Sequence, residues 1–225
     1  MVVQKKPKKQ AGKEEASAST SLRDVAYEEI KQRIITLHYR PGAYINEAQI
    51  CKELDIGRTP VHMAIDRLSL ESMVEIIPRK GVIVRPVSIE DLKQVVETRL
   101  INEPPAAGLA AVRATDEELR RLRKIAEKAR LAKRHDVMQL MELDREFHAT
   151  IANSTRNTIL AQILKSVHER SLRQWFISLS DAKHQKEIAD EHEEVIDSIA
   201  SRNPKTAETV MRSHINSFAR VNGLL

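Results

Sequence analysis

The stretch Arg58-Thr59-Pro60-Val61-His62 reads as the opening of a helix, with Thr59 as N-cap and Pro60 at the first helical position. Further on, Pro78-Arg79-Lys80-Gly81 stands between Val74-Glu75-Ile76-Ile77 and Val82-Ile83-Val84. That is the pattern of a tight hairpin with a basic tip. A short helix opening on Arg-Thr beside such a hairpin supplies the parts of a winged helix-turn-helix. In that arrangement one helix enters the DNA major groove and a basic loop reaches the neighbouring backbone.

Working outward, residues 22–37 carry Val25, Ile30, Ile34 and Leu37 near helical spacing, and Arg40-Pro41-Gly42 breaks that helix. A second helix is expected from Asn46, its N-cap, to Leu54, with Ile50 and Leu54 inward. Asp55-Ile56-Gly57 is the turn, and the third helix is expected over Thr59 to Glu71, with Val61, Ile65, Leu68 and Met63 facing the core. The exposed face of that helix then carries Arg58, Thr59, His62, Asp66 and Arg67. Arginine pairs with guanine or phosphate, and Thr59 bonds phosphate. At the wing, Arg79 and Lys80 reach backbone or minor groove, and Gly81 lets the turn close. Any one of these residues alone is an ordinary surface side chain. The whole pattern carries the reading.

Bulk charge does not. The formal net charge is +5, but residues 1–20 hold five lysines and two glutamates. Residues 21–87 hold ten basic and nine acidic side chains, and residues 88–225 hold 22 and 21. The placement of particular arginines therefore has to support DNA binding. The first twenty residues read as a disordered basic tail: a solubilising leader or, alternatively, an arm adding phosphate attraction. Aromatics at 3% argue against a stacking platform for single strands. The single cysteine, Cys51, excludes an internal disulfide framework, and the absence of a membrane-length apolar run or signal pattern points to the cytoplasm and no membrane.

Beyond Arg85-Pro86-Val87 the pattern becomes helical throughout. Ser88-Ile89-Glu90-Asp91 and Thr115-Asp116-Glu117-Glu118 are capping-box starts, and Asp136 and Asn203 are further N-caps. About six helices in a bundle are expected over residues 88–225, the first kinked near Pro104, Pro105 and Gly108. The fold class is thus mainly α: a winged helix of three helices and a two-stranded wing over 21–87, joined to an all-helical domain.

Within the bundle, Asp144 and His148 share a helix face at i and i+4, and His192 and His214 lie on later helices among apolar neighbours. Three imidazoles and a carboxylate converging in a bundle suit a first-row divalent metal with open positions. From spacing alone the plainer reading weighs more: a helix-face pair and two hydrogen-bonded core histidines. His38, His135, His168 and His184 lack a partner pattern and read as surface residues. Arg99 and Arg173, if turned inward, need an anion: Glu97, Glu103, another acidic side chain, or a bound carboxylate.

These residues resemble the GntR family of bacterial transcription regulators, in the FadR-like branch with an all-helical FCD effector domain. In the first half the resemblance rests on Arg40-Pro41-Gly42, Asn46-Glu47-Ala48, Arg58-Thr59-Pro60-Val61, Arg67-Leu68 and residues 74–81. In the second it rests on Glu97-Thr98-Arg99, residues 144–148, Glu191-His192 and Arg212-Ser213-His214. It implies a homodimer on a palindromic double-stranded operator. It also implies a divalent ion (zinc first, nickel or manganese otherwise) held by Asp144, His148, His192 and His214. A small carboxylate effector is expected at the metal near Arg99, with Arg173 a second effector candidate. Two departures stand out: His62 where arginine is usual, and Gly57 where serine or threonine is usual. A ligand-controlled repressor is the expectation. Its rivals are a DNA-tethered metal-dependent hydrolase or oxygenase, and a regulator whose metal is purely structural.

Overall fold

A computed structural model describes residues 21–132, 136–178 and 182–225. The basic tail and His135 lie outside the described residues. The first half runs α1 (Leu22–Ile35), β1 (Tyr44–Ile45), α2 (Glu47–Leu54), α3 (Arg58–Leu70), β2 (Val74–Ile77) and β3 (Gly81–Val84). Ser21 and Asn46 cap α1 and α2 by accepting from Asp24 N and Ala48 N. The apolar faces of the three helices close on the sheet around Ile30, Ile34, Ile50, Val61, Ile65, Leu68, Val74 and Val82.

Three local expectations change. The N-cap of α3 is Gly57, not Thr59, so Pro60 sits at the third helical position. Proline is tolerated there because the first N–H groups of a helix have no intrahelical acceptor. The wing has a third strand: β1 pairs antiparallel with β3, giving the order β1-β3-β2. Bonds between Gly42 N and Val84 O (2.8 Å) and between Val84 N and Ala43 O (3.0 Å) extend that pairing. Met63, expected inward, is 44% exposed.

The second half consists of α4 (Ile89–Arg113), α5 (Asp116–Leu131), α6 (Val137–Ser154), α7 (Thr158–Ser178), α8 (Ala182–Ala200) and α9 (Pro204–Val221). Capping boxes at Ser88 and Thr115 start α4 and α5, and Asp136 and Asn203 cap α6 and α9. Helix α4 continues through Pro104 and Pro105. Pro104 cannot donate to the Leu100 carbonyl, and Arg212 of α9 fills that vacancy with an Nη1 donor at 3.4 Å. Phe147, Leu172, Trp175, Val195, Ile199, Met211 and Phe218 build the bundle core. Ile35 of α1 belongs to that same core, so the two halves share packing at their joint.

Candidate metal centre and nucleic-acid interface

Five helices turn polar side chains into the middle of the bundle. Helix α4 supplies Arg99 and Glu103, α6 supplies Asp144 and His148, α7 supplies His168, α8 supplies His192, and α9 supplies His214. The i, i+4 spacing on α4 and α6 sets each pair one turn apart on a single face. All seven are at least nine-tenths buried. Nε2 of His148 lies 3.4 Å from Nε2 of His214 and 3.7 Å from Asp144 Oδ1. Nε2 of His192 is 3.4 Å from Asp144 Oδ1, and Nε2 of His168 is 3.4 Å from Asp144 Oδ2.

The outer nitrogens are oriented by carboxylates. Nδ1 of His148 is 3.0 Å from Glu103 Oε2, and Nδ1 of His214 is 2.8 Å from Glu191 Oε2. Arg99 donates through Nε to Glu103 Oε1 at 2.5 Å, which answers which anion partners that arginine. A carboxylate behind His148 and another behind His214 fix the tautomer that leaves Nε2 of each as an acceptor. Asp144 Oδ1, His168 Nε2 and His192 Nε2 are nevertheless buried without a hydrogen-bond partner.

Burial pushes the imidazoles of His192 and His214 below their ordinary range and takes His168 down to about 4. Burial alone would raise the Asp144 carboxyl, but His148, His192 and His168 outweigh it and hold Asp144 ionised. Arg99 and His148 do the same for Glu103. The neutral form that burial favours for His168, His192 and His214, beside an ionised carboxylate, is the donor form that binds a divalent cation. His148, His192 and His214 form one group of donor atoms within 4.8 Å of one another, and Asp144, His148 and His168 form a second. The residues present therefore fit such an ion. A cavity of about 100 Å³ abuts this cluster and is lined by Glu103, His148 and His168, with Arg145, Lys165 and Glu169 among its other walls.

The four residues expected as ligands are brought together, and a fifth imidazole joins them. His168, read from sequence as a surface residue, is 4% exposed. It shares a helical stripe with Leu164 and Leu172, both buried, which is the signal that marks it as inward. His184 is also buried, at 4%, stacked on Trp175 with ring centroids 6.0 Å apart. His38 is exposed as expected. Arg173 is not at the cluster. It lies at the joint between the two halves, where Nη1 donates to the Arg85 carbonyl.

In the first half, Arg58, Thr59 and His62 stand exposed at the start of α3, and Arg79, Lys80 and Gly81 form the wing tip. Arg79 (φ 66°) and Gly81 (φ 111°) both take left-handed conformations there. His62 Nδ1 is 3.0 Å from Glu47 Oε1 and its Nε2 is 3.7 Å from Asp66 Oδ2. The Glu47 bond and the charges of Asp66 and Glu47 raise its pKa above the ordinary imidazole value. Arg67 has a different neighbourhood from the other six. Its guanidinium stacks on the Tyr27 ring at 3.6 Å and approaches Asp24 and Glu71, facing the joint.

A winged helix presenting basic side chains, joined to a helical bundle with a buried polar centre, defines a transcription regulator with a separate effector domain. The sequence pattern of the gntR family of bacterial regulatory proteins matches residues 22–84, and that of the FCD domain matches residues 94–217. The chain belongs to this family of GntR regulators with an FCD effector domain. It is 27% identical over 182 residues to the Nta operon transcriptional regulator of Aminobacter aminovorans, covering 80% of this chain and 85% of that one. It is 24% identical over 211 residues to the gluconate operon transcriptional repressor of Bacillus licheniformis, covering 92% and 85%. In fold it is similar to E. coli McbR/YncC, with a TM-score of 0.78, 18% identity, and coverage of 91% and 99%. These relatives are regulators, not enzymes. No helix among the described residues is long and apolar enough to cross a membrane.

Proposed function

We propose that this chain is a homodimeric, ligand-controlled repressor that binds a palindromic operator and senses a small organic acid at a divalent metal held by Asp144, His148, His192 and His214. The observation that carries this reading is the buried donor set, with the Nδ1 atoms of His148 and His214 backed by Glu103 and Glu191 and their Nε2 atoms turned inward. An ion held there supplies Lewis-acidic positions for carboxylate oxygens. Zinc fits an imidazole and carboxylate donor set, as do nickel and manganese. The chain's own residues do the rest. Glu103 and Glu191 orient the imidazoles, Arg99 balances Glu103, and the adjoining cavity excludes all but small ligands.

That cavity favours a sensor over a purely structural ion, because a structural site needs no adjoining space. Repression is supported by the gluconate operon relative, whose name describes a repressor. Arg58, Thr59 and His62 on α3 and Arg79, Lys80 and Gly81 on the wing are the proposed DNA contacts. Occupancy of the effector site acts only through a difference in affinity between two arrangements of the DNA-binding halves. His192→Ala tests the reading. The folded dimer and its operator affinity should persist while metal content and the response to organic acids disappear. An unchanged acid response in the metal-stripped variant would sink the proposal.

A further inference from the structure

We propose that His168 is a fifth protein donor to the ion held by Asp144, His148, His192 and His214, so that a six-coordinate ion there keeps one position for an incoming acid. The inference rests on the metal reading above and deepens it. Four observations converge. His168 is buried, and neither of its ring nitrogens has a hydrogen-bond partner. A buried imidazole that uses neither nitrogen is a rare and costly arrangement that calls for a partner. Its Nε2 lies 3.4 Å from Asp144 Oδ2, the same separation that His192 Nε2 keeps from Asp144 Oδ1. It falls within a 4.8 Å donor group with Asp144 and His148.

The neighbouring groups leave it little else to bind. Glu103 is taken by Arg99 and His148, and Glu169 by Lys31 and Arg145. Asp144 thus faces His148 and His192 with one oxygen and His168 with the other. Two consequences follow. Four protein donors leave a six-coordinate ion two positions, enough for a chelating hydroxy acid, whereas five leave one, which a single carboxylate oxygen fills. His168 also borders the cavity, so the remaining position opens toward the space where the acid resides.

The test uses the full-length protein stripped of metal and titrated with cobalt(II), whose visible absorption reports coordination. Wild type, His168→Ala, His168→Gln and His192→Ala are compared, with circular dichroism to confirm folding. Loss of His168 should weaken cobalt binding about 10- to 100-fold and change the band shape and intensity, with Gln failing to restore either. Acetate and lactate should perturb the wild-type band alike, while His168→Ala should gain a preference for chelating lactate. If His192→Ala loses cobalt but His168→Ala keeps the wild-type affinity and band, His168 is not a donor and the metal reading survives. If wild type itself takes up no cobalt, both fail.

Discussion

Lys31 on α1 and Glu169 on α7 form a buried ion pair across the boundary between the DNA-binding half and the bundle. The Lys31 side chain is 5% exposed and that of Glu169 13%. Lys31 also donates to Tyr27 Oη at 2.8 Å and lies 3.6 Å from Glu71 Oε2, while Glu169 Oε1 is 3.2 Å from Arg145 Nε. Glu169 follows His168 in sequence and lines the cavity beside the polar centre. A change at the centre that shifts α7 is therefore delivered directly to α1.

Removing one member of this pair strands the other. Glu169→Gln should destabilise the protein by about 3 kcal/mol, because Lys31 keeps only the neutral Tyr27 acceptor and the longer ionic contact with Glu71. Lys31→Met should cost less, since it replaces the buried cation with an apolar side chain and leaves Glu169 paired with Arg145. Urea denaturation followed by circular dichroism gives both values. In operator-binding assays, both variants should bring the ratio of affinities with and without acid toward one. A full ratio in both would place the coupling elsewhere.

Acid should loosen the metal-free protein before it loosens its surface. His168 titrates at about 4 in the folded chain against an ordinary 6.5. Between those values the unfolded chain binds a proton that the folded chain refuses. Stability is then complete above pH 6.5, falls as the pH drops toward 4, and levels off below. His168 alone accounts for about 3 kcal/mol of that loss. His192 and His214, also lowered by burial, act in the same direction, and Asp144 adds to the loss below its ordinary 3.8. Urea midpoints of chelator-treated protein at pH 7 and pH 4.5 measure it. His168→Asn should shrink the difference. A wild-type midpoint that does not move would refute the burial account.

Much of this architecture was legible because its signals are local. Capping boxes at Ser88 and Thr115, the N-cap Asn203 before Pro204, and the Asp144/His148 spacing each depend on residues within one helical turn. What escaped depends on backbone geometry or distant partners. Gly57 has no side chain with which to signal an N-cap, so the Thr59-Pro60 signature drew the helix start too late. Strand β1 is two residues long, and it exists because β3 offers a free edge. His168 and His184 were misread because the absence of a partner pattern was weighed above their position. Their spacing from Leu164, Leu172 and Ile188 already placed them on buried stripes. Arg173, offered as a second effector candidate if turned inward, is buried at the joint against the Arg85 carbonyl, a placement no sequence pattern announces.

Arg79 occupies the wing tip in a left-handed conformation with its side chain exposed, and a guanidinium that meets only the backbone adds attraction without sequence information. Arg79→Ala should weaken binding to operator and non-operator DNA by similar factors. The slope of log affinity against log salt should fall by about one. Arg58→Ala, at the start of α3, should instead cost about 1–3 kcal/mol on operator DNA and relax sequence preference. Fluorescence anisotropy with both DNAs at several salt concentrations separates the two. Equal loss of preference in both variants would mean that the wing also reads bases.

His62 gives the reader a pH dependence that an arginine there would lack. Glu47 accepts from Nδ1 and Asp66 stands near Nε2, and together they raise the imidazole's pKa above its ordinary 6.5. The ring is exposed on the face that carries Arg58 and Thr59, so its charge is available to a phosphate. On the proposal that the protonated form makes that contact, DNA affinity should rise as the pH falls from 8 through 6. His62→Gln should remove the dependence while retaining a hydrogen bond, and His62→Arg should bind tightly at both ends of the range. Glu47→Gln should move the midpoint of the wild-type curve to lower pH, since it removes the largest cause of the raised pKa. Anisotropy titrations at constant ionic strength measure all four proteins. A wild-type affinity that stays flat across the range would show that His62 does not touch DNA in its charged form.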